Sequence, residues 1–295
     1  MRRFYRLALT AALFMLTAHA YAYDVCVDGI YYDLNGNEAI VTNNAVAKCY
    51  AGKVIIPSEI QCGTTRYAVT AIAPSAFEGC TQLTDVTIPA SVKTVGENAF
   101  RHCPLLPVHD MLYYADTYLV GPYECSVTGT YKIKEGTRWI ANRAFNENMC
   151  IRSIIIPASV ESIGKEAFRC CDFLKSVTLN GNLEIGQDAF NGTTTINEVK
   201  IYSEKTPTII NEDGAFDEQV YNTAQIHVTS GSKDNYKNTY GWRKFAFLSE
   251  DLPLAGIKSV LVPNAVGKCY DLEGRSVTTP AKGSIYIKDG RKFLK

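Results

Sequence analysis

The chain lacks most of the signatures that announce an enzyme. No G-x-S-x-G, H-E-x-x-H or P-loop pattern occurs in its 295 residues, which removes the commonest nucleophile, zinc-protease and phosphate-cradling frameworks. No C-x-x-C pair occurs either, so the usual zinc-site spacing is missing. Histidine is scarce: beyond the first 22 residues only His102, His109 and His227 remain. An excess of one charge is also lacking. Without the three arginines of the leader, 27 basic residues stand against 30 acidic ones, a formal charge of −3. That balance gives no electrostatic footprint for nucleic acid or an anionic membrane. No apolar run beyond residue 22 is long enough for a membrane helix.

What is present begins with a leader. Arg2, Arg3 and Arg6 precede the short apolar run "LALTAALFML", and Ala20-Tyr21-Ala22 forms a small-x-small cleavage site. This is the pattern of a secretory signal peptide over residues 1–22, with a mature chain starting near Tyr23. Cys26 follows Tyr23-Asp24-Val25 and not a lipobox-like run, so a lipid anchor is not expected. All ten cysteines lie beyond the leader, and an even count in an exported chain suggests disulfides.

A repeat dominates the rest. Ala-Phe pairs end at Phe77, Phe100, Phe145, Phe168, Phe190 and Phe216, at spacings of 23, 45, 23, 22 and 26 residues, the 45 being close to two periods. Aligned on the phenylalanine, "LTDVTIPASVKTVGENAFRHC" from Leu83 matches "IRSIIIPASVESIGKEAFRCC" from Ile151. "LKSVTLNGNLEIGQDAFNGT" from Leu174 is one residue shorter, and "GTYKIKEGTRWIANRAF" from Gly129 fits the same frame. Within a copy, Val86 and Ile88 fall on one face of a short strand and Thr87 on the other. Pro89 ends the strand because it cannot donate to a ladder. Val92 and Val95 form a second apolar pair, Gly96 reads as a turn residue, and Ala99 with Phe100 fills the far side. One copy cannot bury its own apolar face. Stacked copies can, with strands pairing in parallel about 4.8 Å apart, so a right-handed solenoid of short parallel strands is expected.

The pattern L..V.IP.SV..IG..AF..C, carried by Leu83, Val86, Ile88, Pro89, Val92, Val95, Gly96, Ala99, Phe100 and Cys103, resembles the BspA-like bacterial leucine-rich repeats of secreted and surface proteins of Bacteroidetes. The resemblance covers roughly residues 53–250. It implies a β-rich N-terminal cap over residues 23–52, in which the turn Asn35-Gly36-Asn37 reads as a hairpin. It also implies a closing segment, a last strand at "IHVTS" and a short helix carrying Tyr236, Trp242 and Phe245. The stretch "LLPVHDMLYYADTYLVGPYECSVTG" departs from the pattern and resembles the hairpin-like insert that replaces a repeat in this family. Residues 251–268 read as a linker. The tail, residues 269–295, reads as two or three small strands. "CYDLEGRSV" and "KGSIYI" there resemble a C-terminal sorting segment of the type IX secretion route, through Tyr270, Asp271, Leu272, Gly274, Arg275, Val277, Lys282, Gly283, Tyr286, Ile287 and Lys295.

Cys80, Cys103 and Cys171 each follow a phenylalanine by three residues and share one column. In-register side chains point the same way, so buried free thiols are expected there. Cys170 faces elsewhere and is the better candidate for a bridge; Cys26, Cys49 and Cys62 allow a disulfide in the cap region, with no pair assigned. His109-Asp110 has the residue types of a catalytic dyad, but adjacency does not create that geometry, and the insert loop accounts for both. Asp33, Asn35, Asn37 and Glu38 are oxygen donors of the kind calcium takes, and a hairpin turn accounts for the same letters. His227 should point outward. No catalytic, cofactor or metal residue is therefore assigned.

The remaining candidate is the surface that repetition creates, an outward row formed by Thr87, Lys132, Ile155, Thr178 and Lys200. It reads either as a solvated face or as a face for a protein or glycan ligand. The resemblance implies a non-enzymatic adhesion or binding protein, secreted or on the outer surface of a Gram-negative bacterium, with host matrix or other bacteria as partners. A structural or spacer subunit of a surface assembly is the alternative. An exported glycan-active enzyme would need a carboxylate pair at catalytic separation, which no spacing here supplies.

Overall fold

A computed structural model describes residues 23–43, 49–123, 129–203, 205–210 and 214–253, together with the backbone of four short strands between 269 and 294. The leader and nearly all of the expected linker lie outside the described residues.

Alternation of apolar and polar residues produces the strands, and the apolar side of each needs a neighbour. Strands Ile151–Ile156, Ser176–Asn180, Glu198–Tyr202 and Gln225–Thr229 stack in parallel, preceded by Gly129–Lys132 and followed by Phe247–Leu252, as one six-stranded sheet. Its inward rows are continuous: Ile154, Val177, Val199 and Ile226 are in register and fully buried, as are Ile156, Leu179, Ile201 and Val228 beside them. Each such side chain contributes about 1.5–3 kcal/mol by leaving water. Two-residue strands Trp139–Ile140, Ser162–Ile163, Glu184–Ile185 and Thr208–Ile209 build a second parallel ladder from the other edge of the same coils.

Between the ladders stands a column of phenylalanines. Phe145, Phe168, Phe190 and Phe216 are spaced 4.9, 5.0 and 4.8 Å apart with interplanar angles of 10°, 4° and 5°. This spacing is the inter-strand repeat itself, so the coils impose a parallel stack that free rings would offset. Phe77 and Phe100 form a shorter stack, 4.9 Å apart at 13°.

The first stack is covered by a cap. Strands Val25–Val27, Ile30–Asn35 and Glu38–Thr42 form an antiparallel meander, with Asn35 opposite Glu38 across the hairpin turn. Glu38–Thr42 then pairs in parallel with one edge of Thr65–Ile72, whose other edge carries Glu59–Cys62, antiparallel, and Thr94–Val95, parallel, one after the other. At the far end, helices Glu218–Thr223 and Lys233–Asn238 and the turn Trp242–Lys244 bring Tyr221, Trp242 and Phe245 within 5.9, 6.0 and 5.3 Å of the Phe216 ring. The strand at 225–229 is not the last, since Phe247–Leu252 adds one more. Among the described residues the tail contains four short strands, where two or three are expected: Cys269–Tyr270 pairs with Ser276–Val277 and with Ile285–Lys288, which pairs with Arg291–Leu294. Among the described residues, no helix is long and apolar enough to cross a membrane.

Three further expectations need correction. Gly96 is not a turn glycine. It has no positive φ, and a Cβ there would lie 2.3 Å from the Pro74 nitrogen of the preceding coil. Gly164 and Gly186 are equally tight, 2.5 Å from the Asn142 nitrogen and 2.8 Å from the Gly164 carbonyl carbon. The same position holds Ala73 and Ala141 where the preceding layer is the cap or the insert, reached through Val41 and Leu119 carbonyls. The left-handed residues instead flank each phenylalanine by two: Ser75, Asn98, Arg143, Glu166 and Asp188 before it, all at φ between 54° and 58°.

Cysteine is the second correction. Cys80 is not a free thiol but is bonded to Cys49, which ties the loop after the cap to the first coil. Cys170 is free, as are the exposed Cys26 and Cys62. Cys150 is disulfide-bonded. Cys103 and Cys171 are buried free thiols. Each donates to the phenylalanine carbonyl of the coil before, at 3.0 Å to Phe77 and 3.0 Å to Phe145. Thr193, at the same repeat position, donates to Phe168 in the same way.

Candidate functional site

The third correction concerns the outward row. Lys132, Ile155, Thr178 and Lys200 are in register on adjacent strands, and the row runs on through His227 and Ser249. Thr87 is not part of it. Its neighbour is Ile55, in a separate two-stranded sheet of Ala51–Ile55 and Gln82–Thr87. The insert keeps the sheets apart: its Asp116 carboxylate accepts the Ile88 amide at 2.8 Å, and its Tyr114 hydroxyl accepts the Lys134 amide at 3.1 Å.

Alternation brings a second outward row beside the first, Thr130, Ser153, Ser176, Glu198, Gln225 and Phe247. The centre of this face is neutral and hydroxyl-bearing, with Ser153 and Ser176 2.7 Å apart. Its far end is charged. Lys200 pairs with Glu198 at 2.9 Å, and His227 faces Asp251 at 2.8 Å through Nδ1 and Glu198 at 3.8 Å through Nε2. His227 does lie on the outer face, held between two carboxylates. Such a face offers hydroxyl, ammonium, imidazole and carboxylate groups for hydrogen bonding across several coils.

The residues weighed for chemistry are not assembled. His109 Nδ1 lies 3.3 Å from Asp110, but both side chains are more than half exposed on a tight turn of the insert. Cys103 sits next to His102, yet burial pushes its thiol up to about 11; burial pushes Cys171 up to about 12. A thiol held protonated is a poor nucleophile. Asp33, Asn35, Asn37 and Glu38 belong to the hairpin.

The sequence reading missed a cleft. The insert forms a meander, Val108–His109, Leu112–Ala115 and Tyr118–Pro122, whose last strand runs parallel to Trp139–Ile140. It takes the place of a coil between Phe100 and Phe145 and fills that place incompletely. One cavity of about 450 Å³ opens over the short-strand ladder, bordered by Lys93, Tyr118, Trp139, Glu161 and Glu184. A second, of about 340 Å³, adjoins it and shares Tyr118 and Asn142. Arg138 crosses the break. It binds both Glu161 oxygens at 2.7 and 3.2 Å, donates to the Val92 carbonyl at 2.9 Å and lies 4.0 Å over the Trp139 ring. The 45-residue gap between Ala-Phe pairs signalled a missing coil, but not what its neighbours would do without it.

Stacked coils, paired parallel strands and an aromatic column define a leucine-rich repeat solenoid. The sequence profile of the BspA type Leucine rich repeat region matches in six copies over residues 39–109 and 123–223, more than half of the chain. The protein belongs to this family. Among solved structures it is similar to a leucine-rich repeat protein of Bacteroides ovatus, at 16% identity over 79% of this chain and 89% of that one, with a TM-score of 0.31. It is similar to a leucine rich cell surface protein of Faecalibacterium prausnitzii at 17% identity, covering 77% and 94%, TM-score 0.37. It is also similar to the T. pallidum leucine-rich repeat protein at 20% identity, covering 69% and 86%, TM-score 0.31. The family membership rests on the profile match. No curated protein matches this chain.

Proposed function

We propose that this chain is a non-enzymatic binding protein, exported and displayed or released at the outer surface of a Gram-negative bacterium, where it holds a protein or glycan partner on the outer face of its long-strand sheet. The observation that carries this is the in-register row of Lys132, Ile155, Thr178 and Lys200, extended by His227 and Ser249. A ligand meeting that row touches several coils at once, so many weak contacts add. Export is supported by the leader pattern, and family membership is consistent with surface display. Host matrix proteins, mucin and other bacterial cells are the partners to try.

The test is capture of these macromolecules by the folded protein, compared with a variant carrying Lys132→Glu, Thr178→Lys and Lys200→Glu. These positions are on the solvent side, so folding is retained. Loss of capture in the variant supports the row; equal capture by both proteins moves the binding surface elsewhere, and no capture by the wild type removes the adhesion reading.

A spacer reading is favoured by one observation: the four tail strands form a sheet of their own. A sorting or anchoring tail would have that independence. Deletion of residues 254–295 should then leave the array folded while the protein is lost from the cell surface. Unchanged display after this deletion argues against any sorting role.

A further inference from the structure

Three coils have three alternate amides completed by the next coil, and in the Phe190 coil the central one is, from Phe190 to the Ala215 carbonyl at 2.7 Å. Ser75, Phe77 and Gly79 donate their amides to the carbonyls of Glu97, Ala99 and Arg101 at 2.9, 2.8 and 2.8 Å. Arg143, Phe145 and Glu147 bind Lys165, Ala167 and Arg169 at 2.9, 2.7 and 2.8 Å, and Glu166, Phe168 and Cys170 bind Gln187, Ala189 and Asn191 at 3.0, 2.7 and 3.0 Å. The acceptor is each time a run of alternate carbonyls centred on a buried alanine.

The same three positions in the coil before the insert are Asn98, Phe100 and His102. Among the described residues, no acceptor meets their amides. The array's true end shows how this protein closes such a row when nothing is to follow: the Tyr221 hydroxyl accepts the amides of Ala215 and Phe216 at 3.2 and 3.4 Å. Among the described residues, no hydroxyl accepts the Phe100 amide. Instead the 340 Å³ cavity opens there, with Asn98 and Arg101 on one wall, Asn142, Arg143 and Asn146 on the other, and Val120 of the insert beside them. The Asn146 Oδ1 atom is itself buried without a partner.

We propose that this break is a docking slot for an extended peptide segment of a partner protein, which completes the array by offering alternate carbonyls to Asn98, Phe100 and His102 and a small residue to Phe100. A polypeptide backbone supplies acceptors at every second residue, about 6.6–6.8 Å apart, and edge pairing of this kind is an established mode of peptide capture. The alanines at 99, 167, 189 and 215 show what side chain the position beside a phenylalanine accepts. Three asparagine side chains add partners for peptide groups. No carboxylate lines the slot; of its two arginines Arg143 is paired with Glu166 at 2.8 Å, which leaves Arg101 to meet an acidic group, so a neutral or weakly acidic segment fits best.

The experiment reads amide exchange residue by residue, first in the free protein. The Asn98, Phe100 and His102 amides should exchange roughly 100-fold faster than those of Ser75, Phe77 and Gly79, because hydrogen bonding there is not shared with a neighbour. A synthetic peptide copying residues 159–169, SVESIGKEAFR, should slow them at least ~10-fold at saturation and leave Phe145 and Phe168 unchanged. Val120→Trp and Asn146→Trp fill the slot from two sides and should each weaken peptide binding by about 10-fold or more, the scale of a lost central contact. Charge reversal at Lys132 and Lys200 should not affect the peptide, so failure of the outer row and failure of the slot are separable. Amides at 98, 100 and 102 already as protected as Phe77 in the free protein overturn the proposal. So does a peptide that protects none of them, or one that binds both filled variants as well as the wild type.

Discussion

The phenylalanine column ends twice, at Phe216 and at Phe100, and the two ends are built differently. At Phe216 both the ring and the backbone are closed: Trp242 and Phe245 cover the ring, and Tyr221 accepts its amide. At Phe100 only the ring is covered, by Tyr118 at 5.5 Å and 51°, while the backbone row stays open toward the cleft. Apolar burial and backbone satisfaction are therefore separate requirements in a solenoid, and a lone hydrophobic side chain meets only the first. The shorter stack compensates by other means. Two phenylalanine coils bury less than four, and the Cys49–Cys80 bond adds a covalent tie to the first of them.

The largest expected effect tests how the stacks differ in rigidity. Phe168 has parallel rings on both faces, at 4.9 and 5.0 Å, whereas Phe100 has one parallel ring and borders the cleft. Phe168→Ala should cost about 4–5 kcal/mol and Phe100→Ala about 3 kcal/mol, since the cost rises with the cavity that cannot collapse. Urea unfolding measures both, and an equal or larger loss at Phe100 would break the comparison. Next in size, Cys49→Ala should cost about 3 kcal/mol, because the bond closes a loop over a sequence separation of 31 residues. The loss should be local: exchange should quicken around Phe77 and not around Phe168. Equal quickening at both would mean that the break does not divide the array. Smaller again, Tyr221→Phe should cost about 1–3 kcal/mol by leaving two amides without their acceptor, with exchange rising at Ala215 and Phe216 toward the rate predicted for Phe100.

Much of this was legible in the sequence because each repeat position has one dominant requirement. The strand pattern of "VTI" and the proline after it set the sheet, and the Ala-Phe spacing set the column. What was not legible depends on the layer next door. Gly96 looked like a turn because glycine has two uses, and only the Pro74 contact decides between them. Cys80 obeys the thiol column in sequence, but its fate depends on Cys49, 31 residues away in a loop without the repeat. Thr87 shares its repeat position with Ile155, yet the insert removes it from that row. The cleft is a property of a coil that is absent, and periodicity marks its place without describing its walls.

The smallest prediction concerns the column itself. Cys171 and Thr193 occupy the same repeat position and each donates to the phenylalanine carbonyl of the coil before. The shared requirement is then a small buried donor and not sulfur chemistry. Cys171→Thr should change stability by less than about 0.5 kcal/mol, whereas the near-isosteric Cys171→Val should lose about 1 kcal/mol, the net value of one hydrogen bond. The Phe145 carbonyl also accepts the Asn148 amide at 3.0 Å, which keeps the second loss modest. Thermal unfolding of the two variants side by side measures the difference. If valine matches threonine, the thiol serves only as a hydrophobe, and the column is held by packing alone.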